Sequence, residues 1–174
     1  MDGRARETRR RAGLMIVRQA EAADAAAMSA VLQPILTGWN SARRGDAATV
    51  LAHYIAHPDR LSCAVACAGE RILGFQSLKV ARARNDYDLP AGWGIIGTYV
   101  AADAGRRGIG RAVFASTLAA AQDANLAHID ATIGTANAEG LAYYTALGFQ
   151  TWRALDGAVG KRFDLPAPDQ TEGT

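Results

Sequence analysis

The sequence predicts one α+β domain with a mixed, mostly antiparallel sheet flanked by helices, and three observations carry this prediction. The chain has 174 residues, 49% of them hydrophobic, which suits a domain with a single core. Two strand-like runs in the first half are joined by a tight turn, and strands then alternate with helix-like segments. No internal repeat or low-complexity linker divides the chain.

The first half of the chain is predicted to run strand, helix, helix, strand, strand. Asp24 is a typical N-cap before an alanine-rich segment whose apolar residues recur at helical spacing. Pro58 ends the second helix, and Gly69-Glu70 between two apolar runs indicates a hairpin. The expected elements are a strand at 16–20, a helix from Asp24 to about residue 36, a loop at 37–46, a helix at 47–57 and strands at 61–68 and 71–80.

The second half is predicted to alternate strands and helices. A loop with charges, Asn, Pro and Gly (81–93) leads into an apolar run. Gly148 is suited to end a helix, because glycine tolerates the left-handed conformation found there. The expected elements are a strand at 95–100, a helix from about 108 to 125, a strand at 128–133, a helix at 137–147 and strands at 149–154 and 159–165.

The two ends of the chain differ in composition from its body. The first fourteen residues contain five arginines and two acids, so they carry a net charge of +3 and leave −1 for the remainder. They have no apolar core of the kind that a secretory signal needs. We expect residues 1–14 to be a disordered extension, residues 15–165 to form the single domain, and residues 166–174 to be a flexible tail.

Composition also excludes several classes of protein. The folded body lacks the basic excess that a nucleic-acid-binding domain normally shows. No apolar run is long enough to cross a bilayer. Two cysteines cannot form a disulfide framework, so we expect a cytoplasmic protein. A zinc site at these cysteines is disfavoured, because Cys63 and Cys67 lie in one strand and their Cα atoms would be about 13 Å apart. We therefore expect no metal.

The most informative segment is 95–111, where an apolar strand, a turn and a glycine-spaced helix start follow one another. Free backbone N–H groups at a helix start form a site for phosphate oxygens, and the glycines Gly108 and Gly110 would allow close approach. Arg106, Arg107 and Arg111 add positive charge there. The spacing matches neither the P-loop nor the dinucleotide-binding fingerprint, and the segment could also be a glycine turn with arginines on a solvated helix face.

This arrangement resembles the GNAT superfamily of acetyl-CoA-dependent N-acetyltransferases. The resemblance lies in the strand Thr98-Tyr99-Val100, the turn Arg106-Arg107-Gly108-Ile109-Gly110-Arg111, and a helix that opens at Asn137 and closes with Tyr144-Thr-Ala-Leu-Gly-Phe149. It extends over nearly all of residues 15–165. The opening 16–28 and the closing 159–165 are similar to phosphinothricin acetyltransferase-like members. The resemblance implies a three-layer fold with a splayed strand pair at the acetyl-CoA site.

The resemblance also implies roles for individual residues. The backbone of Thr98, Tyr99 and Val100 would bind the pantetheine arm, and residues 105–111 would hold the pyrophosphate. The predicted pyrophosphate residues are Gly105, Arg106, Arg107, Gly108, Ile109, Gly110 and Arg111. Asn137 would bond the pantetheine or hold the gap between the strands. Tyr144 would donate a proton to the departing thiolate, although Tyr143 beside it offers the same hydroxyl. The acceptor amine would attack the thioester directly, so no catalytic triad is needed.

Two positions depart from the family pattern. Gly105 stands where a Gln or Arg is usual, and Ile95 stands where a carboxylate often serves as base. No acidic residue lies between Trp93 and Asp103. Asp86 or Asp88 on the preceding loop could serve as the base, or bulk water could take the proton.

The predicted activity is transfer of an acetyl group from acetyl-CoA to a primary amine of a small molecule, such as an amino acid or an analogue. Trp39, Tyr87 and Trp93 would form the walls of the acceptor pocket. Arg82 or Arg84 could bind a carboxylate, or the loop aspartates an ammonium. The alternatives are an acyl-CoA binding module without catalysis and a protein or peptide N-acetyltransferase. A homodimer that pairs through the terminal strands is also expected.

Overall fold

A computed structural model describes residues 14–105 and 107–167. Most of the expected N-terminal extension, nearly all of the expected C-terminal tail and Arg106 lie outside these ranges. The strands are β1 (Met15–Gln19), β2 (Arg60–Ala68), β3 (Arg71–Val80), β4 (Gly94–Val100), β5 (His128–Gly134), β6 (Gln150–Leu155) and β7 (Ala158–Asp164). The helices are α1 (Ala25–Gly38), α2 (Ala47–Val50), α3 (Ile109–Asp123) and α4 (Ala138–Leu147).

The seven strands form one sheet in the order β1-β2-β3-β4-β5-β7-β6. All neighbouring pairs are antiparallel except β4 and β5, which are parallel. The parallel pair requires a crossover connection, and α3 supplies it. The hairpin predicted at Gly69-Glu70 joins β2 and β3, and Gly69 has a φ of 62°, a value that suits glycine. The prediction of a mixed, mostly antiparallel sheet is therefore confirmed.

Helices cover both faces of the sheet. On the first face, which we call the α1 face, Met28 and Leu32 pack with Val65, Phe75 and Tyr99 of the strands. On the opposite α3 face, apolar residues of α3 and α4 pack against β4, β5 and β7. This alternation follows the period of two along each strand. The result is the expected three-layer α+β fold. No helix of the described residues has the length and apolar character that a membrane span requires.

Two local features differ from the sequence prediction, and the position of the last strand is a third feature that the sequence did not predict. Helix α1 continues through Gly38 and therefore includes the first two residues of the expected loop. The second helix is regular only as α2, and Leu51–Ile55 continue it as a π-turn that buries both Tyr54 and Ile55. The last strand, β7, enters between β5 and β6, so β6 forms the edge. Sequence patterns assign strands but do not fix their order in a sheet.

Candidate active site

A wedge-shaped cleft opens between the parallel strands β4 and β5. They pair at only two positions, Gly94 with Ile129 and Ile95 with Asp130. β4 continues to Val100 along β3, while β5 continues to Gly134 along β7. Over 96–100 the edge of β4 that faces β5 has no ladder partner among the described residues. We call this opening the cleft and its closed end, at Ile95 and Asp130, the head of the cleft. Unpaired backbone groups of this kind can bind an extended ligand in place of a strand.

The predicted phosphate turn lies at the open end of the cleft. A short 3₁₀ turn (Ala102–Ala104) follows β4, and Gly108 caps α3 with a φ of 74°. No side chain caps α3 in the structure, so the first N–H groups of the helix retain their capacity to bind an anion. Arg107 and Arg111 are exposed beside this turn. A Cβ atom built on Gly108 would meet no protein atom within 4 Å.

At position 110, unlike position 108, a side chain would collide with a neighbouring residue of the protein. A Cβ atom there would lie 2.5 Å from the ring of Tyr143. The Tyr143 hydroxyl also donates a hydrogen bond to the carbonyl oxygen of Gly110 (2.8 Å). Gly110 therefore permits the close packing of α3 against α4, which the sequence analysis attributed to phosphate approach. Its role as a cofactor contact stays a prediction, as do the roles of Gly105, Arg107, Ile109 and Arg111.

A hydrogen-bonded chain of side chains lies on the α3 face of the cleft. The Gln76 amide nitrogen donates to the Thr98 hydroxyl (2.8 Å) and to the Tyr143 hydroxyl (3.0 Å). The hydroxyls of Thr98 and Tyr144 are 2.7 Å apart. Tyr144 therefore reaches the strand on which the acyl group is expected, whereas Tyr143 bonds to α3. Gln76 was missed because a single polar residue in a strand gives no signal in the sequence.

Both tyrosines remain protonated at neutral pH. Tyr144 is 6% exposed, and burial raises the pKa of its hydroxyl well above its usual range. Burial also raises the pKa of Tyr143, and its bonds with Gln76 and Thr98 oppose this shift. A protonated, buried hydroxyl is the state in which a tyrosine can act as a general acid.

Asn137 is the N-cap of α4. Its side-chain oxygen accepts a hydrogen bond from the Gly140 backbone N–H (3.0 Å). A Cβ atom on Gly140 would lie 2.5 Å from the Asn137 amide nitrogen, so glycine is required next to the cap. The cap fixes the start of the helix that carries Tyr144. A bond from Asn137 to the pantetheine stays a prediction.

The α1 face of the cleft carries a polar cluster that the sequence analysis missed. The Arg43 guanidinium donates to the hydroxyls of Tyr54 (2.6 Å) and Tyr99 (3.1 Å). The ring of Tyr99 lies back over Gly97, where a Cβ atom would be 3.2 Å from the Tyr99 hydroxyl. The cluster therefore lies over the middle of β4. Trp39, predicted for the acceptor pocket, is 6.2 Å from the Tyr99 ring between centroids.

The loop 37–44, which carries Trp39 of the predicted acceptor pocket, borders a cavity of about 350 Å³. Thr37, Ser41, Arg43 and Arg44 contribute to its lining. Arg43 therefore connects this cavity to the tyrosine hydroxyls above β4. The sequence offered Arg82 and Arg84 as anion-binding residues, but Arg82 forms an ion pair with Asp59 (2.7 Å).

The loop 82–93, which carries the predicted acceptor residues Tyr87 and Trp93, leads into β4 at the head of the cleft. Arg153 holds this loop to the sheet by donating to the carbonyl oxygens of Tyr87 (2.7 Å) and Asp88 (3.2 Å). The Trp93 ring lies 5.1 Å from that of Trp152 between centroids. Asp86 and Asp88 are exposed on the loop, and their role as the base stays a prediction. Tyr87 is 45% exposed and accessible to a ligand.

One buried carboxylate at the head of the cleft escaped the sequence analysis. Asp130 is 0% exposed, accepts a hydrogen bond from the Trp152 indole N–H (2.8 Å) and accepts a second from the Thr132 hydroxyl (2.9 Å). The only available signal was the spacing of Asp130 and Thr132, two residues apart on one strand face. Without the sheet order, that spacing does not show which face borders the cleft.

The described residues contain no group of three or more His, Cys, Asp or Glu side chains that could hold a metal ion. Cys63 and Cys67 are buried, and burial raises the pKa of both thiols. They pack with the α1 face of the core and behave as small apolar residues.

The strands β4 and β5 separate after two paired positions, and the wedge between them opens toward a helix start with no side-chain cap, a geometry that suits an extended, phosphate-bearing ligand. The family model of the acetyltransferase (GNAT) family matches residues 27–149. The chain belongs to this family of acyltransferase enzymes, and the resemblance found in the sequence is confirmed. No curated protein sequence matches the chain.

Solved structures with the same fold include three informative examples. The acetyltransferase yncA from Salmonella typhimurium, solved with its cofactor acetyl-CoA, has 19% identity and a TM-score of 0.72 and covers 92% of this chain and 99% of its own. A protein described as a phosphinothricin N-acetyltransferase has 17% identity, coverage of 88% and 99%, and a TM-score of 0.66. The ribosomal-protein-alanine N-acetyltransferase from Brucella melitensis has 18% identity, coverage of 86% and 99%, and a TM-score of 0.64.

Proposed function

We propose that this protein transfers an acetyl group from acetyl-CoA to the primary amine of a small molecule, such as an amino acid or an analogue. The observation that carries the proposal is the cleft, because one wedge joins an uncapped helix start to a buried tyrosine hydroxyl. Its length fits a tethered acyl group. The six residues from Ile95 to Val100, five steps along the strand, span about 16 Å.

The donor binds along this wedge. The N–H groups at the start of α3 hold the pyrophosphate, with charge from Arg107 and Arg111 and, by resemblance, from Arg106. The pantetheine arm pairs with the free edge of Thr98, Tyr99 and Val100. Because the wedge closes at Ile95 and Asp130, the acyl group stops near the head of the cleft. The acceptor then approaches from the α1 face.

The reaction is direct attack by the amine on the thioester carbonyl carbon in a ternary complex. A C–N bond forms, the C–S bond breaks and the thiolate takes a proton from Tyr144. The hydrogen bonds support this role. Because the Gln76 amide donates to the Thr98 hydroxyl, Thr98 can donate its own hydrogen to Tyr144, which leaves the Tyr144 proton available to the sulfur.

The acceptor site suits a small amine that also carries a carboxylate. Arg43 is partly buried and directs its guanidinium at the α1 face of β4, where it can form a paired contact with a carboxylate. Trp39 and Tyr87 supply exposed aromatic surface on either side, and Trp93 lies at the head of the cleft. A cytoplasmic homodimer that pairs through terminal strands is part of the same proposal, supported by two buried thiols and by the exposed edges of β1 and β6.

The likeness to a ribosomal-protein-alanine N-acetyltransferase favours a second acceptor class, the N-terminal amine of a protein. A single assay distinguishes the two classes. The purified protein is incubated with acetyl-CoA and, separately, with the twenty L-amino acids, their decarboxylated amines and short peptides with free N-termini, and free thiol is followed.

We expect turnover with one or more amino acids and at least tenfold less with the decarboxylated amines. Turnover with peptides alone would establish the second class. The proposal would be contradicted if no acceptor of the panel caused thiol release and calorimetry detected no binding of acetyl-CoA.

A further inference from the structure

We propose that Asp130 on β5 takes the proton from the ammonium group of the acceptor, acting through the hydroxyl of Thr132. This inference rests on the proposed acetyltransferase function and names a base for it. It is an alternative to the loop aspartates, because it places the carboxylate inside the cleft on the strand opposite β4.

Asp130 lies where the reacting groups meet. It is paired with Ile95 at the last position before β4 and β5 separate. Residues opposite one another in a sheet share a face, so Asp130 shares the α1 face with Ile95, Gly97 and Tyr99. The acyl group ends at this position if it follows β4 from the phosphate turn. A carboxylate on β5 therefore takes the place of the one that β4 lacks at Ile95.

The Asp130 carboxylate is buried and forms no ion pair among the described residues, although Arg162 lies opposite it in register and the Arg153 guanidinium stacks on Trp152. Its two oxygens accept hydrogen bonds only from the neutral groups of Trp152 and Thr132. None of the ion pairs in residues 14–105 and 107–167 includes it. Burial of an unpaired carboxylate is costly, so a fold that retains one has a use for it. An ammonium group that reaches the head of the cleft would supply the missing positive charge.

Neighbouring residues fix the position of the Asp130 carboxylate. Trp152 lies on β6 and reaches it across β7, past Gly160. A Cβ atom on Gly160 would lie 3.0 Å from the Trp152 indole nitrogen and 2.8 Å from an Arg153 side-chain carbon. The absence of a side chain at Gly160 therefore opens the path from Trp152 to Asp130. A carboxylate fixed by two donors is held in one orientation.

Thr132 connects the buried carboxylate to the cleft. It lies two residues beyond Asp130, on the same face and past the point at which β5 separates from β4, and it is exposed. Its hydroxyl donates to Asp130 and retains lone pairs that can accept a hydrogen bond from the amine. A hydroxyl in this position can pass a proton inward while the carboxylate remains shielded from water.

The acceptor ammonium loses two protons, in two separate steps. The ammonium gives a proton to the Thr132 oxygen as the Thr132 hydrogen moves to Asp130, which leaves a neutral amine and a protonated carboxyl group. The amine attacks the thioester, and the second proton lost from nitrogen replaces the one that Tyr144 gives to the thiolate. Asp130 then releases its proton to solvent. The net products are the acetamide, free CoA and one proton.

Other titratable groups surround Asp130 and have defined partners. On β7, Arg162 is opposite Asp130 in register, but its guanidinium pairs with Asp164 (2.6 Å). His128, two residues before Asp130, is also bound to Asp164 (2.7 Å).

Asp130 also contributes to the raised pKa of two tyrosines on other elements, Tyr87 and Tyr144. Burial raises the pKa of Tyr87, with Tyr99 and Asp130 adding to the shift, and burial raises the pKa of Tyr144, with a smaller contribution from Asp130. Both hydroxyls therefore remain protonated at neutral pH.

The test uses Asp130→Asn, with an acceptor from the panel and saturating acetyl-CoA. Asparagine keeps the shape of the side chain and can still accept from Trp152. We expect kcat/KM for the acceptor to fall about 100-fold or more at neutral pH, with unchanged affinity for CoA. The loss of kcat/KM relative to the parent protein should fall below about tenfold as the pH approaches the pKa of the acceptor ammonium. The amine then arrives neutral and needs no base.

Thr132 provides an independent test that does not alter the buried charge. Thr132→Ser keeps the hydroxyl, and we expect it to retain at least a third of the activity. Thr132→Val keeps the shape without the hydroxyl, and we expect it to resemble Asp130→Asn, including its recovery at high pH. Asp123→Asn, at the exposed end of α3, is the control and should match the parent protein.

The outcomes separate the two proposals. If the parent protein transfers acetyl groups and Asp130→Asn is equally active, or its deficit is the same at every pH, the inference is overturned while the proposed function stands. A large deficit in Asp86→Asn or Asp88→Asn that closes with pH would assign the base to the loop. If the parent protein itself has no activity with any acceptor, the proposed function fails instead.

Discussion

At the scale of single residues, Tyr143 and Tyr144 are adjacent in the chain but have different surroundings. Tyr143 donates to the Gly110 carbonyl oxygen and fixes α4 on α3. Tyr144 is more deeply buried, packs on Phe149 with ring centroids 5.0 Å apart and has its hydroxyl against Thr98. The first arrangement is structural, and the second suits the proton-donor role proposed for Tyr144.

Tyr144→Phe should therefore lower kcat about 100-fold, since a general acid typically contributes between 10² and 10⁴. The affinity for CoA should change less than about twofold, because the ring remains packed. Thiol release and calorimetry measure the two effects. Tyr143→Phe is the matched comparison and should lose about 1 kcal/mol of stability with kcat within a few-fold of the parent. Equal activity in Tyr144→Phe and the parent would remove Tyr144 from the mechanism.

Gly108 allows a second test at this scale. A Cβ atom at Gly108 would meet no protein atom within 4 Å, and the φ of 74° means that a side chain there introduces conformational strain. We expect Gly108→Val to weaken CoA binding at least tenfold, because the added side chain enters the space assigned to the pyrophosphate. Gly157→Val is the control, since Gly157 has a φ of 69° and equally open space on the β6–β7 turn.

Calorimetry of both variants with CoA measures the effect. Both should lose about 1 kcal/mol of stability from the backbone strain, but only Gly108→Val should lose affinity. Undiminished binding by Gly108→Val would contradict the phosphate site.

Residues differ in how far the sequence could predict them. The glycine-spaced turn and the Tyr144 segment are local in the chain, so together they carry the family resemblance through which their roles are predicted. Arg43 and Asp130 meet the cleft only because α1 ends near β4 and because β5 lies beside it. Their roles depend on sheet order and on the direction of a loop, neither of which a local pattern contains.

At the scale of elements, Asp24 is held by an ion pair and by the backbone of the turn before α1, but its side chain makes no capping hydrogen bond to that helix. The Asp24 carboxylate accepts two hydrogen bonds from the Arg18 guanidinium (2.7 and 2.9 Å) and one from the Glu21 backbone N–H (2.8 Å). The bond from Arg18 is the main reason that the pKa of Asp24 lies below its usual value. Asp24 therefore ties β1 to the turn that leads into α1, whereas the side-chain cap that the sequence predicts for it does not form.

The pH dependence of the Arg18–Asp24 ion pair follows from the lowered pKa of Asp24. A carboxyl whose pKa is lower in the folded state stabilises the protein above its unfolded pKa, near 4, and loses that contribution as the pH falls through the folded pKa. We expect Asp24→Ala to cost about 1 kcal/mol at pH 7 and clearly less at the lowest pH at which the protein remains folded.

Urea unfolding of the parent and the variant at both pH values measures the difference, with the exposed Asp123→Ala as control. A cost that does not fall in acid would contradict the ionic contribution of Asp24.

Strand prediction succeeded where strands alternate or form hairpins. It could not show that β7 lies between β5 and β6, nor that β4 and β5 separate after two paired positions. The separation depends on which edges meet and is a property of the assembled sheet. The family resemblance supplied that expectation.

At the scale of the whole molecule, the donor should stabilise the fold because its site joins β4, α3 and α4. At a CoA concentration 100 times its dissociation constant, binding adds about 2.7 kcal/mol. For a chain of this length the melting temperature should rise by about 5 to 11 °C. Differential scanning fluorimetry measures this rise, and Gly108→Val should show little of it. An equal rise in that variant would indicate that CoA binds elsewhere.

The central claim is that the cleft between β4 and β5 holds the donor with its acyl end at the head of the cleft. A crystal structure with acetyl-CoA tests it most directly. We expect the pyrophosphate on the first N–H groups of α3, the pantetheine beside Thr98, Tyr99 and Val100, and the acetyl carbon near the pair Ile95 and Asp130. Density for the pantetheine outside this wedge, or a wedge filled by protein side chains, would contradict the account.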